Sequence, residues 1–269
     1  MSDETSTRVA AMGRVTSFIR LCIGFVVLAI ISTVVLVMLP FLWPFRVTRI
    51  KLCNLYGKTA GRAIVALAGV TPRVANRERL NGSMPAIYVC NHNSTLDAFL
   101  CVWLCPIGAC GVFKKEIVHV PFYGWIAYFS GHLLIDRGNK GKAVDALKDV
   151  AALVKKEKLG IWIMPEGTRS RDGSLLPFKR GFVHLAIATG LPVVPVVVHG
   201  AYKNWVAKTF QFNPMTLDVD VLPPIDTSSW KEETATEHAE SVRSLIAATL
   251  AAHEAKAIAL PVVASIQSA

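Results

Sequence analysis

From Leu21 to Phe45 the chain reads LCIGFVVLAIISTVVLVMLPFLWPF, 25 positions without a charged side chain, bounded by Arg20 and Arg46. About 20 apolar residues suffice to cross the hydrocarbon core of a bilayer, so whatever fold follows has to be built beside a membrane. The apolar run is too long for a cleaved signal peptide and no small-x-small site follows it, so it is expected to stay as an anchor. Arg8, Arg14 and Arg20 precede it, while Arg46, Arg49, Lys51, Lys58 and Arg62 follow, which favours a cytoplasmic carboxyl side. A spanning helix and a re-entrant or in-plane insertion are both compatible with this pattern.

Charge follows the anchor. The formal net charge is +10 in 269 residues, and residues 1–70 alone hold 8 Lys/Arg against 2 Asp/Glu, a net +6. Cations gathered beside an apolar segment fit an anionic membrane surface. Nucleic acid would call for basic residues interleaved with exposed aromatics, so no nucleic-acid partner is expected. After the anchor Lys51, Asn54, Lys58 and Arg62 recur at helical spacing, with Leu52, Tyr56, Ala63 and Leu67 on another face. An amphipathic helix lying in the interface is the expectation. Residues 1–70 thus read as anchor plus interfacial helix, and residues 71–269 as one catalytic-sized domain.

Beyond the anchor, β-rich runs alternate with helical patterns. Candidate strands are 86–90, 109–113, 132–136, 160–164, 193–199 and 217–222; candidate helices are 97–105, 140–157 and 179–189, with a further amphipathic helix around residues 242–250. Such alternation predicts an α/β fold, a central sheet covered by helices. The prolines of Leu191–Val198, LPVVPVVV, suit an edge or entrance more than a central strand. The six cysteines lie among apolar neighbours with no C-x-x-C pair and no Cys/His ligand spacing, so neither a disulfide nor a metal site is expected.

Polar residues at strand ends carry the chemistry in α/β proteins. Asn91–Asp97, NHNSTLD, has two sound readings. In one, His92 is a base whose tautomer Asp97 holds. In the other, Ser94 caps a helix and Asp97, three positions later, closes a capping box ahead of an apolar run. Five helical positions advance about 500°, so His92 and Asp97 can meet only if His92 precedes the helix and the chain turns at Asn93–Ser94. Further on, Asp136–Arg137 ends an apolar strand. Ile161–Ser170, IWIMPEGTRS, breaks at Pro165 into Glu166, Gly167, Thr168 and Arg169: a glycine for close backbone approach, a hydroxyl, and a planar cation suited to phosphate, or simply a turn with a local ion pair. Phe178-Lys179-Arg180-Gly181 adds two cations nearby. His119, His132, His184 and His199 have no carboxylate at a suggestive spacing and read as structural or surface residues.

In this order the stretches NHNSTLD, KKEI…PFYG…SGHLLIDR, MPEGTRS and LPVVP, spanning residues 91–195, resemble the glycerolipid acyltransferase family of the bacterial 1-acylglycerol-3-phosphate type. Met164, Ile117 and Leu191 replace the usual Phe, Leu and Val without removing a chemical group. The resemblance implies a mixed sheet of the glycerol-3-phosphate acyltransferase kind. It implies a fatty acyl transfer from acyl-CoA or acyl-carrier protein to lysophosphatidic acid, giving phosphatidic acid, with no cofactor, at the inner (cytoplasmic) membrane with the catalytic domain facing the cytoplasm. It assigns His92 as general base with Asp97 behind it, and Arg137, Glu166, Gly167, Thr168 and Arg169, with Lys179 added, to the acceptor's phosphate. Alternatives are acylation of glycerol 3-phosphate or of lyso-ornithine lipid, a covalent route through Cys90 or Ser94, and an inactive membrane-anchored lipid-binding protein.

Overall fold

Buried, β-branched runs dominate the centre of the chain, and they pair into one seven-stranded sheet. The computed structural model describes residues 13–136, 140–170, 172–205 and 211–266. In chain order these form α1 (Arg14–Met38), α2 (Arg46–Leu67), β1 (Val70–Ala75), α3 (Glu78–Gly82), β2 (Ile87–Cys90), α4 (Leu96–Leu104), β3 (Ala109–Lys114) and α5 (Tyr123–Phe129). There follow β4 (Leu133–Ile135), α6 (Lys140–Glu157), β5 (Gly160–Ile163), α7 (Gly181–Thr189), β6 (Val193–Val198), β7 (Met215–Val221) and α8 (Ala235–Ile266). Strand order is β1-β7-β6-β2-β5-β3-β4. Strands β2 to β6 run parallel to one another, while β7 is antiparallel to β6 and β1 runs with β7, so the sheet is mixed as expected.

Alternate residues of the central strands feed two cores, as the two-residue side-chain period requires. Tyr88, Cys90, Trp162, Val194 and Val196 pack beneath Leu96, Leu100 and Leu104 of α4. Ile87, Val89, Ile161, Ile163 and Val197 pack beneath α6, α7 and α8 on the other face.

Pro195 corrects the expectation of an edge position, because β6 is an interior strand. The missing N–H falls where it is not needed. Pro195 accepts from Leu222 N–H at 2.9 Å, and the β6–β7 ladder begins only at Val196–Val221. The next pairing is Val193 with Ile225, so the β7 side is bulged beside the proline.

The α2 helix forms where expected, but its buried face differs. Asn54, expected on the polar face, is buried: its carboxamide donates to Ala109 O at 3.1 Å and accepts from Gly108 N–H at 2.9 Å. The buried stripe is Ile50, Cys53, Gly57, Ala60 and Gly61, and much of it meets α4 instead of lipid. A Cβ on Gly61 would sit 2.3 Å from Phe99 O and one on Gly57 3.0 Å from Val102 O, so this spacing of small residues lets the two helices approach closely.

The apolar helix α1 is long and greasy enough to cross a membrane by length and composition. It is nevertheless packed on the protein along its length. Ser17 Oγ accepts Phe212 N–H, Gly24 lies against Ile64, Ser32 is hydrogen-bonded to Tyr56 at 2.9 Å, and Leu28 and Val35 are buried. The opposite face, including Phe18, Phe25, Ile30 and Val34, is exposed, and Phe41, Trp43, Trp125 and Tyr128 extend the exposed apolar surface.

Candidate active site

Strand β2 ends at Cys90, and the carboxamide of Asn91 then brackets β6: it donates to Val198 O at 2.9 Å and accepts Val198 N–H at 2.8 Å. The chain leaves the sheet at His92 with its backbone gripped from the next loop. His92 N–H donates to Glu166 Oε1 at 2.7 Å, and Ser170 N–H donates to His92 O at 3.0 Å.

Helix α4 starts just beyond, and the cap and the His92–Asp97 contact of NHNSTLD form together. Thr95 already has helical dihedrals, so the cap falls on Ser94, whose Oγ accepts Leu96 N–H at 3.2 Å. Asp97 Oδ2 reaches back to the N–H groups of Ser94 and Asn93, each at 2.7 Å, and meets His92 Nδ1 at 3.0 Å. A carboxylate only accepts, so Nδ1 carries the proton and the Nε2 lone pair is left free. Asp97 is fully buried, while the His92 side chain keeps 18% of its surface open. All three donors converge on Oδ2; Oδ1 is buried with no hydrogen-bond partner.

Strand β5 delivers the second half of the site. Glu166 is 4% exposed, and its other oxygen, Oε2, accepts Leu176 N–H at 3.0 Å. Burial pushes its carboxyl upward in pKa, opposed by the two backbone donors. Gly167 turns the chain at φ +72°, and a Cβ there would lie 2.8 Å from Lys179 Nζ, so that ammonium rests against the glycine. Lys179 N–H closes the loop on Pro165 O at 2.9 Å. Arg169 is exposed, its guanidinium donating to Thr95 Oγ1 at the start of α4, and Thr168 is exposed beside it. Asp172 ties the loop's far end by accepting from the hydroxyls of Ser170 and Ser174, which holds its carboxyl down at about 2.

Beneath His92 opens a cavity of about 660 Å³, within the range of small-molecule sites. Its mouth carries His92, Thr95, Gly167, Thr168 and Arg169. Its walls are largely apolar, with Phe99 and Val102 from α4, Phe113 from β3 and Met164 after β5 among them; Cys53 and Asn54 come from α2.

The fold therefore brings His92, Asp97, Glu166, Gly167, Thr168, Arg169 and Lys179 to one end of β2 and β5, the carboxyl ends of parallel strands. Arg137 lies outside the described residues. Arg180 turns away to Thr236 of α8. Cys90 is buried, does not line the cavity, and donates its thiol to Asn91 O. Of the helpers, Ser170 and Leu176 act through backbone N–H groups and Asn91 through its carboxamide; Asn91 and Ser170 stand inside motifs read for other residues. His184 and His199 do have carboxylate partners, Glu232 and Asp220, supplied by distant segments that spacing does not reveal.

A family model described as Acyltransferase matches residues 71–199. A 1-acyl-sn-glycerol-3-phosphate acyltransferase of Limnanthes douglasii is 35% identical over 236 residues, 88% of this chain and 83% of its own. One of Cocos nucifera is 39% identical over 214 residues, 80% and 68% of the two chains. One of Escherichia coli K12 is 38% identical over 161 residues, 60% and 65%. Among solved structures, the 1-acyl-sn-glycerophosphate acyltransferase of Thermotoga maritima superposes with a TM-score of 0.70 at 22% identity, over 89% of this chain and 97% of that one. At that identity the likeness concerns the fold.

Proposed function

The chain belongs to the glycerolipid acyltransferase family, and from that premise we propose that it moves a fatty acyl group from a thioester, acyl-CoA or acyl-carrier protein, to the sn-2 hydroxyl of 1-acylglycerol 3-phosphate. The observation that carries this reading is the His92–Asp97 pair, 3.0 Å apart, set at the mouth of a largely apolar cavity.

An alcohol is a weak nucleophile at neutral pH, and histidine is suited to take its proton during attack. His92 Nε2 removes the hydroxyl proton as the oxygen bonds to the thioester carbon. Asp97 holds the imidazole's orientation and stabilises its cationic form. The tetrahedral intermediate then expels the thiolate, which recovers the proton from His92. The acceptor's own oxygen is the nucleophile, so no acyl-enzyme is formed and no cofactor is needed. The engaged thiol of Cys90 and the capping hydroxyl of Ser94 agree with that.

The acyl chain of the donor lies in the cavity, where burial of its methylenes supplies affinity. Arg169 and Lys179 at the mouth, joined by Arg137, hold the acceptor's phosphate, with Gly167 and Thr168 admitting it closely. Glu166, with both oxygens on backbone amides, supports His92 from behind. The exposed face of α1 lies in a membrane, the inner membrane with the catalytic domain on its cytoplasmic side. Because α1 is bound to the domain from Ser17 to Val35, it lies along one leaflet and does not cross both.

The test is an acyl-transfer assay on membrane-extracted protein offered lysophosphatidate, glycerol 3-phosphate and lyso-ornithine lipid with both donors. Transfer to lysophosphatidate that is lost in His92→Ala is expected. No transfer to it where another acceptor is acylated would overturn the acceptor, and His92→Ala with unchanged activity would overturn the mechanism.

A further inference from the structure

At the start of α2 two arginines meet without an anion. Arg46 Nε donates to Gly131 O at 2.9 Å and Arg49 Nη1 to Phe129 O at 2.6 Å, so both guanidinium groups lie at the carboxyl end of α5. Neutral donors would satisfy those two carbonyls, whose share of a helix dipole is a fraction of one charge against two full cations. Neither arginine forms an ion pair among the described residues, and the sequence holds no Asp or Glu between Glu4 and Glu78. Burial, and then the Arg46 charge, push the pKa of Arg49 down; burial and that same charge lower His132 to about 4. A buried cation left without a counter-charge is costly.

The donors left over gather at one place. Arg49 is 8% exposed, its Nε is buried without a partner, and its guanidinium lies over the Trp43 ring at 4.7 Å. Its Nη2 and both Nη atoms of Arg46 have no acceptor among the described residues. Phe45 gives α2 no side-chain cap and the first turn holds no acidic residue, so the N–H groups of Arg46, Val47 and Thr48 have no partner within the helix. Helical side chains lean toward the amino end, which brings the Arg49 guanidinium beside those amides.

The surroundings name the occupant. Phe41, Trp43, Phe45, Tyr128 and Phe129 keep between 37% and 81% of their surface open, in the manner of the aromatic belt at the headgroup level of a bilayer. A free phosphate leaves that rim bare, whereas the phosphate of a lipid brings glycerol and acyl carbons to cover it. Neither arginine lines the cavity, and Gly131 stands before β4 while Arg169 and Lys179 follow β5, so this place is distinct from the mouth.

We propose that Arg46, Arg49 and the amino end of α2 form a binding site for the phosphate of an anionic phospholipid of the surrounding bilayer. The inference rests on the reading above that the exposed face of α1 lies in a membrane. Since α2 and the segment entering β4 both contribute to the cavity wall, a lipid held here fastens two sides of that compartment to the membrane surface.

The experiment measures binding of the full-length protein to vesicles of phosphatidylcholine alone and of phosphatidylcholine with an equal part of phosphatidylglycerol. Wild type, Arg46→Gln, Arg46→Lys and Arg62→Gln are compared. Arg46→Gln keeps a donor for Gly131 O, and Arg62, exposed farther along α2, loses the same charge away from the site. Wild type is expected to prefer the anionic vesicles by about tenfold or more, Arg46→Gln to lower that preference about fivefold, and Arg62→Gln to change it less than about twofold. Arg46→Lys should recover part of the loss. Equal losses from Arg46→Gln and Arg62→Gln, or no preference in wild type, overturn the proposal. A second arm follows Tm in uncharged detergent micelles with short-chain phosphatidylglycerol, short-chain phosphatidylcholine or inorganic phosphate. Phosphatidylglycerol alone is expected to raise the Tm of wild type, and Arg46→Gln to lose the rise. No rise overturns the site, and an equal rise with inorganic phosphate overturns the lipid as its occupant. This arm needs neither vesicles nor acyl transfer: a rise kept by a protein that binds no vesicle supports the site while the membrane reading fails.

Discussion

Glu166 holds the backbone of His92: its Oε1 accepts the His92 N–H at 2.7 Å, while Oε2 accepts Leu176 N–H at 3.0 Å. One buried carboxylate thereby joins the loop after β5 to the loop after β2.

Glu166→Gln tests that role. The amide offers one oxygen acceptor where two N–H groups need one each, so a buried donor is left unpaired and stability should fall by about 1–3 kcal/mol. Turnover is expected to drop roughly 10- to 100-fold through a displaced His92, with KM for the lysolipid nearly unchanged. A raised KM with full kcat would instead mark Glu166 as a substrate contact.

Asp97→Asn separates capping from catalysis. The amide oxygen can still accept the Ser94 and Asn93 amides, so circular dichroism and Tm should change modestly. Without the carboxylate the imidazole loses its held tautomer and the partner of its charged form, and kcat is expected to fall on the order of 10³- to 10⁴-fold. Near-normal turnover from folded protein would leave only the cap.

Arg169→Ala should act on the acceptor. Loss of a charge-assisted contact of about 1.5–3 kcal/mol predicts a KM for lysophosphatidate raised roughly 10- to 150-fold, with kcat largely kept. Arg169→Lys should recover only part of this, because a lysine lacks the planar fork.

The lowered pKa of His132 has a pH signature in stability. Its folded value is about 4, against an ordinary 6.5, so between these the unfolded chain binds the extra proton. Stability is therefore fully present above about pH 6.5 and is lost as pH falls through about 4, on the order of 3 kcal/mol in all. Denaturant melts at pH 7, 5.5 and 4.5 should show this decline, and His132→Gln should flatten that part of it.

Much of the sheet was legible because its interior strands are short, β-branched and separated by capped helices. All six expected strands form, each within a few residues of the expected bounds. β1 escaped because VTPRVA carries Pro72 and Arg73, tolerable only in a strand with a partner on one side, and it pairs with β7 alone. α5 escaped because seven mostly aromatic residues show no helical period. Asn54 was misassigned for a general reason: a polar residue at helical spacing looks solvent-facing unless one knows that Gly108 and Ala109 lie across from it. The motif residues were legible as chemistry, since their types and order carry it. The cavity was not, because α2, α4, β3 and the segments flanking β4 and β5 each contribute only a few side chains to it.

Cys53 and Asn54 of α2 line that cavity, and α1 covers α2 from outside. The apolar α1–α2 hairpin is thus no leash on a self-sufficient domain. Trimming it away to obtain a shorter fragment would remove one side of the cavity and leave His92 at the rim of an open trough.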